Sequence, residues 1–100
     1  MPKIYEYLGI VFFFYSNEHE PIHIHGKYGE QELKAEFVIE NGEIKEIRIK
    51  SVKNVEPIRG RKLNDFKRLI EKYSDEIVEK WIDYFVLHKK IKSQRIQKLK

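Results

Sequence analysis

The chain has 100 residues, of which 41% are hydrophobic and 36% are charged, and it contains no cysteine. This length is typical of one folded domain, and the lack of cysteine excludes disulfides and thiolate metal ligands. The longest apolar run, residues 10–15, is far shorter than the ~20 residues of a membrane helix, and no signal peptide is evident. We therefore expect a soluble cytoplasmic protein without a membrane segment.

The charge is distributed unevenly along the chain. Residues 1–50 carry six basic and nine acidic side chains, whereas residues 51–100 carry fourteen basic and seven acidic ones. A basic C-terminal half can bind nucleic acid or an acidic partner protein, although a lysine-rich surface can also serve solubility alone. The sequence leaves both interpretations open.

Four segments have the composition or the alternation of β-strands: residues 8–15, 22–28, 31–39 and 43–52. The first is apolar on both faces, which is typical of a central strand covered on both sides. The other three are separated by the turn signals Gly29-Glu30 and Asn41-Gly42. Together they predict a four-stranded antiparallel meander.

The hydrophobic pattern also predicts the registers of the two hairpins. A two-residue Gly29-Glu30 turn places Tyr28 opposite Gln31, which sets apolar residues against apolar ones on one face. For the second hairpin the pattern favours a three-residue loop with a glycine bulge, which places Ala35 opposite Ile47.

Helical spacing follows residue 61. One apolar stripe begins at Leu63, with Asn64 as a candidate N-cap, and a second begins after Ser74 and reaches His88, interpreted as a half-buried core residue. We predict an α+β fold: a four-stranded antiparallel β-meander followed by two α-helices packed on one face. Residues 1–88 form the single domain, and residues 89–100, with six basic side chains and no acid, form a basic C-terminal tail.

Three of the four histidines, His19, His23 and His25, fall within seven residues. On a strand His23 and His25 project from the same face about 7 Å apart, and His19 can approach from the preceding loop. Three imidazoles suit Zn²⁺ or another divalent transition metal, and without a metal they suit acid–base chemistry on a phosphodiester. The third interpretation is a structural or interface role, because no complete zinc motif is present.

Two sets of charged residues are candidate binding groups. The polar face that carries the histidines also carries Lys27, Lys34 and Glu36, and the segment before the first helix carries Arg59, Arg61 and Lys62, which suit phosphate. We expect the polar face to be accessible, or buried only by a partner. A second copy of the chain is one such partner, and it would make the protein a homodimer.

Residues 9–30 resemble the signature of a small bacterial family catalogued as domain of unknown function 4160. The resemblance rests on the spacing of six positions, spans about residues 4–88, and continues through Gly42-Glu43 to Trp81; the six are His19, Pro21, His23, His25, Tyr28 and Gly29. Many members have a second proline where this chain has Ile22. The resemblance implies no established activity, but it implies a setting in toxin–antitoxin-like gene pairs.

Two functional hypotheses follow. The first is a small interaction protein, one component of a toxin–antitoxin-like module that binds a partner protein or nucleic acid. The alternative is a metal-dependent or histidine acid–base phosphodiesterase or nuclease that uses His19, His23 and His25.

Overall fold

Strands occupy the first half of the chain and helices the second, as the sequence predicts. A computed structural model of the protein describes residues 2–15 and 21–99. The elements in chain order are β1 (Lys3–Tyr7), β2 (Ile10–Phe13), β3 (His23–Tyr28), β4 (Gln31–Glu40), β5 (Glu43–Ser51), α1 (Gly60–Lys72), α2 (Ser74–Phe85) and β6 (Gln94–Ile96).

The α+β prediction is confirmed, but the sheet of the described residues has six strands rather than four, in the order β5-β4-β3-β2-β1-β6. The predicted strand over residues 8–15 begins too early, because Leu8 and Gly9 form the turn between β1 and β2. Their φ angles are 49° and 83°, the left-handed values of a two-residue hairpin turn, which places Tyr7 opposite Ile10.

The sixth strand lies in the segment interpreted from sequence as a basic tail. β6 pairs in parallel with β1, and Ile96 at its end is buried, with 5% of its surface exposed. The prediction of a basic tail outside the domain is therefore wrong for residues 94–96. A three-residue strand with one buried apolar side chain is too short to leave a period in the sequence.

The register of β3 and β4 is confirmed from Tyr28 opposite Gln31 to His23 opposite Glu36. The predicted register of β4 and β5 is wrong by two residues, since Ala35 lies opposite Ile49. The turn has two residues, Asn41 and Gly42. An irregularity between Ile39 and Val38 shifts the register by one residue, and beyond it apolar residues again lie opposite apolar ones, as in the pair of Phe37 and Ile47.

Both helices cover one face of the sheet, which we call the helix face; its side chains include Phe12, Ile24, Gly26, Leu33, Ala35 and Phe37. Phe66 of α1 packs against Phe12, with 5.4 Å between ring centroids, and lies directly over Gly26. A Cβ atom on Gly26 would lie 2.5 Å from Phe66 Cε2, so the close approach of α1 requires glycine there.

The ends of the helices differ from the predicted ones. α1 begins at Gly60, so Asn64 lies inside the helix and is not its N-cap. Ser74 is the first residue of α2 and makes no capping bond; its hydroxyl donates to the carbonyl oxygen of Glu71. His88 lies beyond the end of α2 with a φ angle of 55° and is exposed, not half-buried. Neither helix of the described residues is long and apolar enough to cross a bilayer.

Candidate functional site

The sheet face opposite the helices, which we call the polar face, contains a buried pair of ionisable side chains. His25 Nδ1 lies 3.0 Å from Glu32 Oε2, and each side chain is 3% exposed. The pair crosses the β3–β4 hairpin diagonally, because Lys34 is directly opposite His25 and Lys27 is directly opposite Glu32. The confirmed register is therefore what brings them together.

The Glu32 carboxylate has further partners. The Tyr15 hydroxyl donates to Glu32 Oε2 at 3.2 Å, and Lys27 Nζ lies 4.0 Å from Glu32 Oε1. A buried carboxylate requires such donors, since its loss of hydration is otherwise uncompensated. Phe13 stacks on the His25 ring and Tyr15 meets it edge-on, with 5.6 and 4.4 Å between centroids. Phe13, the last residue of β2, and Tyr15, two residues further on, thus pack against the histidine.

His23 is fixed by the backbone. Its Nδ1 donates to the carbonyl oxygen of Pro21 at 2.6 Å, and its ring lies 5.2 Å from that of His25 at 71°. A carbonyl oxygen only accepts, so Nδ1 must carry the proton, and the neutral ring has its lone pair on Nε2. The Glu32 carboxylate imposes the same tautomer on His25.

The expectation of an accessible histidine face is wrong for the imidazoles, since His23 is 7% and His25 2% exposed without a second chain. Phe13 is also buried, and its ring stacks on that of His25. His19, the third predicted ligand, lies outside the described residues. Among residues 2–15 and 21–99 no three metal-ligating side chains are arranged to hold a metal ion.

Glu36 forms a second cluster on the same face. Lys50 Nζ lies 2.8 Å from its Oε1 and Lys34 Nζ 3.6 Å from its Oε2. The hydrogen bond from Lys50 lowers the pKa of Glu36 despite burial, and the charges of Lys50 and Lys34 act in the same direction. The predicted binding residues Lys34 and Glu36 thus pair with each other.

The predicted basic group before α1 does not act as one unit. Arg59 forms an exposed ion pair with Glu56 at 2.7 Å. Lys62 Nζ donates to the carbonyl oxygen of Leu8 at 2.6 Å and lies 4.8 Å above the centre of the Tyr28 ring. Arg61 is exposed on α1. The three residues therefore have separate roles. Arg59 forms an ion pair in the loop, Lys62 joins α1 to two turns, and Arg61 is a surface charge.

Sequence reasoning missed Glu32 and Tyr15 as members of the site. The signal for Glu32 was present, because the predicted hairpin register already places an acid diagonal to His25. Tyr15 lies at the end of an apolar run, whose pattern indicates a covered central strand and not a polar site.

Glu32→Ala removes the acceptor of His25 and Tyr15, and we expect it to lower the free energy of unfolding by about 1–3 kcal/mol. Glu32→Gln retains one acceptor oxygen and should cost less. Urea denaturation followed by circular dichroism measures both. Glu30→Ala, at an exposed turn position, is the matched control. Equal stability of Glu32→Ala and the control would contradict a stabilising role for Glu32.

The Glu36 cluster predicts a loss of stability in acid. Because the folded pKa lies below the ordinary value of 4.5, the ionised carboxylate stabilises the fold fully above that value. The contribution is lost as the pH falls through the lowered folded pKa. Glu36→Gln should therefore be less stable than wild type at neutral pH, with a smaller further loss in acid. Urea midpoints measured across pH test this, with the exposed Glu79→Gln as control; parallel profiles for wild type and Glu36→Gln would refute it.

Comparison with known proteins places the chain in a family. A sequence profile described as "Domain of unknown function (DUF4160)" matches residues 9–82. This range includes β2 to β5, with His23 and His25, and most of the two helices. No curated protein and no solved structure matches the chain. The match covers well over half of the sequence and contains the candidate site. The chain therefore belongs to the DUF4160 family.

Proposed function

We propose that the protein is a small cytoplasmic interaction protein that binds an anionic partner, nucleic acid or an acidic protein, through α1. The observation that carries the proposal is the separation of charge between the helices. α1 has five basic and two acidic side chains, whereas α2 has one basic and four acidic ones. Both helices pack on the same sheet, but α1 carries mainly positive charge and α2 mainly negative charge.

Three of the five basic residues of α1 lie on one side of the helix. Arg61, Arg68 and Lys72, which we call the basic stripe, are exposed and are spaced by seven and four residues, which places them in line. Near the end of the stripe a shallow cavity of about 420 Å³ is lined by Arg68, Glu71, Lys72 and Leu99. The basic chain end therefore lies beside the stripe and adds Lys98 to this region.

An exposed aromatic ring lies near the other end of the stripe. Tyr28 is 38% exposed, and Lys62 lies above its ring. A basic surface that ends at an exposed aromatic side chain suits a nucleic acid strand, because phosphates contact the cations and a base can stack on the ring. This combination favours nucleic acid over an acidic protein as the partner.

The family resemblance gives the proposal its biological setting. We propose a bacterial toxin–antitoxin-like pair in which this protein binds either the nucleic acid target or the partner protein encoded beside it. The binding residues named from sequence contribute unequally in this proposal. Arg61 belongs to the stripe and Lys62 supports Tyr28, whereas Arg59, Lys27 and Lys34 are occupied by carboxylates.

The double variant Arg61→Glu/Arg68→Glu should weaken binding of a labelled RNA or DNA oligonucleotide by about tenfold or more at low salt. The slope of the logarithm of the binding constant against the logarithm of the salt concentration should fall by the equivalent of about two phosphate contacts. Fluorescence anisotropy at several salt concentrations measures both effects. Lys53→Glu/Lys90→Glu, both exposed and outside α1 and β5, is the charge-matched control. Equal losses in both variants, or no binding by wild type at low salt, would exclude nucleic acid, and co-purification with the neighbouring gene product would then test the protein partner.

The His25–Glu32 pair supports a second candidate function, a histidine acid–base phosphodiesterase or nuclease. A carboxylate that accepts from Nδ1 orients the imidazole and raises the basicity of Nε2, as in catalytic and metal-bound histidines. Glu32 and Lys27 also line a cleft of about 470 Å³ beside the β5–α1 connection. The burial of both imidazoles stands against this candidate. Its metal-dependent form uses His19, His23 and His25 around Zn²⁺ or another divalent transition metal.

For this second candidate we expect RNA cleavage by wild type that is abolished in His25→Ala and His23→Ala. The exposed His88→Ala is the matched control and should keep full activity. Loss of cleavage on chelation, restored by Zn²⁺ or Mn²⁺, would identify the metal-dependent form. Failure of wild type to cleave RNA with or without added metal would contradict both forms.

A further inference from the structure

The two edges of the sheet differ in what they offer to another chain. β6, at one edge, has three residues, whereas β5, at the other, has nine and is bonded to β4 on one side only in the described sheet. The outer side of β5 therefore presents a row of backbone N–H and C=O groups. Such an edge is a template for an added strand unless the sequence blocks it. β5 contains no proline, although it carries Lys45, Lys50 and the irregularity opposite Val38 and Ile39, which are features that protect an edge.

The apolar side chains of β5 are incompletely covered by the protein's own helices. Ile44, Ile47 and Ile49 are only half-buried, whereas the core residues of β4 on the same face are fully buried. A groove of about 1050 Å³ runs between β5 and the two helices; its lining includes these three isoleucines together with Ile70, Lys67 and Asp75. The helices thus cover β5 less completely than they cover β4.

The charges of β5 complement a second copy of the same strand. Glu46 and Arg48 lie on the polar face of β5, 2.7 Å apart, and each side chain is 53% exposed. In an antiparallel pairing of two copies with the two-fold axis at Ile47, Glu46 of each copy lies opposite Arg48 of the other. An axis at Glu46 would instead place the two glutamates opposite each other. An axis at Arg48 would place the two arginines opposite each other, although it would also set Glu46 of each copy opposite Lys50 of the other. The sequence of β5 therefore favours one register of self-pairing.

We propose that the protein forms a homodimer through antiparallel pairing of β5 with β5 of a second copy, with the two-fold axis at Ile47. The pairing joins two sheets into one and brings the Ile47 side chains together on the helix face. The axis is perpendicular to the sheet, so the helices of both copies lie on the same side. The dimer then presents two basic stripes to one partner. This assembly site differs from the histidine face on which the sequence placed a homodimer, and it does not depend on the proposed function.

Charge reversal tests the dimer and its register together. Wild type should have the mass of a dimer in light scattering coupled to size-exclusion chromatography. Glu46→Arg and Arg48→Glu each place two pairs of like charges across the interface and should weaken dimerisation by about tenfold or more. An equimolar mixture of the two variants restores both opposite-charge pairs and should restore the dimer as a heterodimer.

The matched controls are Glu56→Arg and Arg59→Glu, which reverse an equally short but remote ion pair with side chains 70% and 69% exposed. Both should remain dimeric. Thermal denaturation followed by circular dichroism confirms that every variant is folded. A monomeric wild type would overturn the proposal. Single β5 variants that stay dimeric, or a mixture that stays monomeric, would overturn the register and with it the proposed interface.

Discussion

The pairing of β3 with β4 determines which side chains meet the helices and which meet each other. Side chains alternate along a strand, so a slip of one residue would exchange the two faces of one strand relative to the other. In the observed register Gly26 accepts the close approach of Phe66, while His25 reaches Glu32 across the hairpin. The packing of α1 and the buried ionisable pair therefore depend on the same turn at Gly29-Glu30.

The centre of the polar face is buried, although the side chains there are ionisable. Its centre is a buried network in which Glu32 accepts from His25 and Tyr15, and Glu36 holds two lysines nearby. Buried charges of this kind are stable only with partners, and their desolvation makes them costly to keep. The network therefore either specifies the register at a cost in stability or forms the core of a functional site. Both are consistent with its position within the family match.

Some of this structure was predictable from sequence and some was not, for physical reasons. The β3–β4 register followed from strict alternation in two strands joined by a two-residue turn. The β4–β5 register did not, because the irregularity near Val38 adds a residue that alternation cannot reveal. β6 depends on tertiary pairing with β1, and Leu8 resembles a strand residue although its φ angle of 49° makes it part of a turn. The burial of His25 depends on Phe13 and Tyr15, whose positions follow from the strand order.

The surfaces suggest a division of roles within the chain. The polar face holds its charges in internal pairs, whereas the charges of α1 are exposed and mostly of one sign. The edge at β5 carries charges of both signs in an order that complements itself. Partner binding through α1 and self-association through β5 would therefore use separate surfaces. This separation allows each proposal to be tested without the other.

The protonation of the two buried imidazoles tests the central geometry most directly. The structure requires a proton on Nδ1 of both His23 and His25, because each nitrogen faces an acceptor oxygen. Long-range ¹H–¹⁵N correlation spectra of the histidine side chains distinguish the two ring nitrogens. The account predicts a protonated Nδ1 in both rings at neutral pH, with slow exchange of the His25 proton. An unprotonated Nδ1 in His25, with the proton on Nε2, would contradict the His25–Glu32 pair.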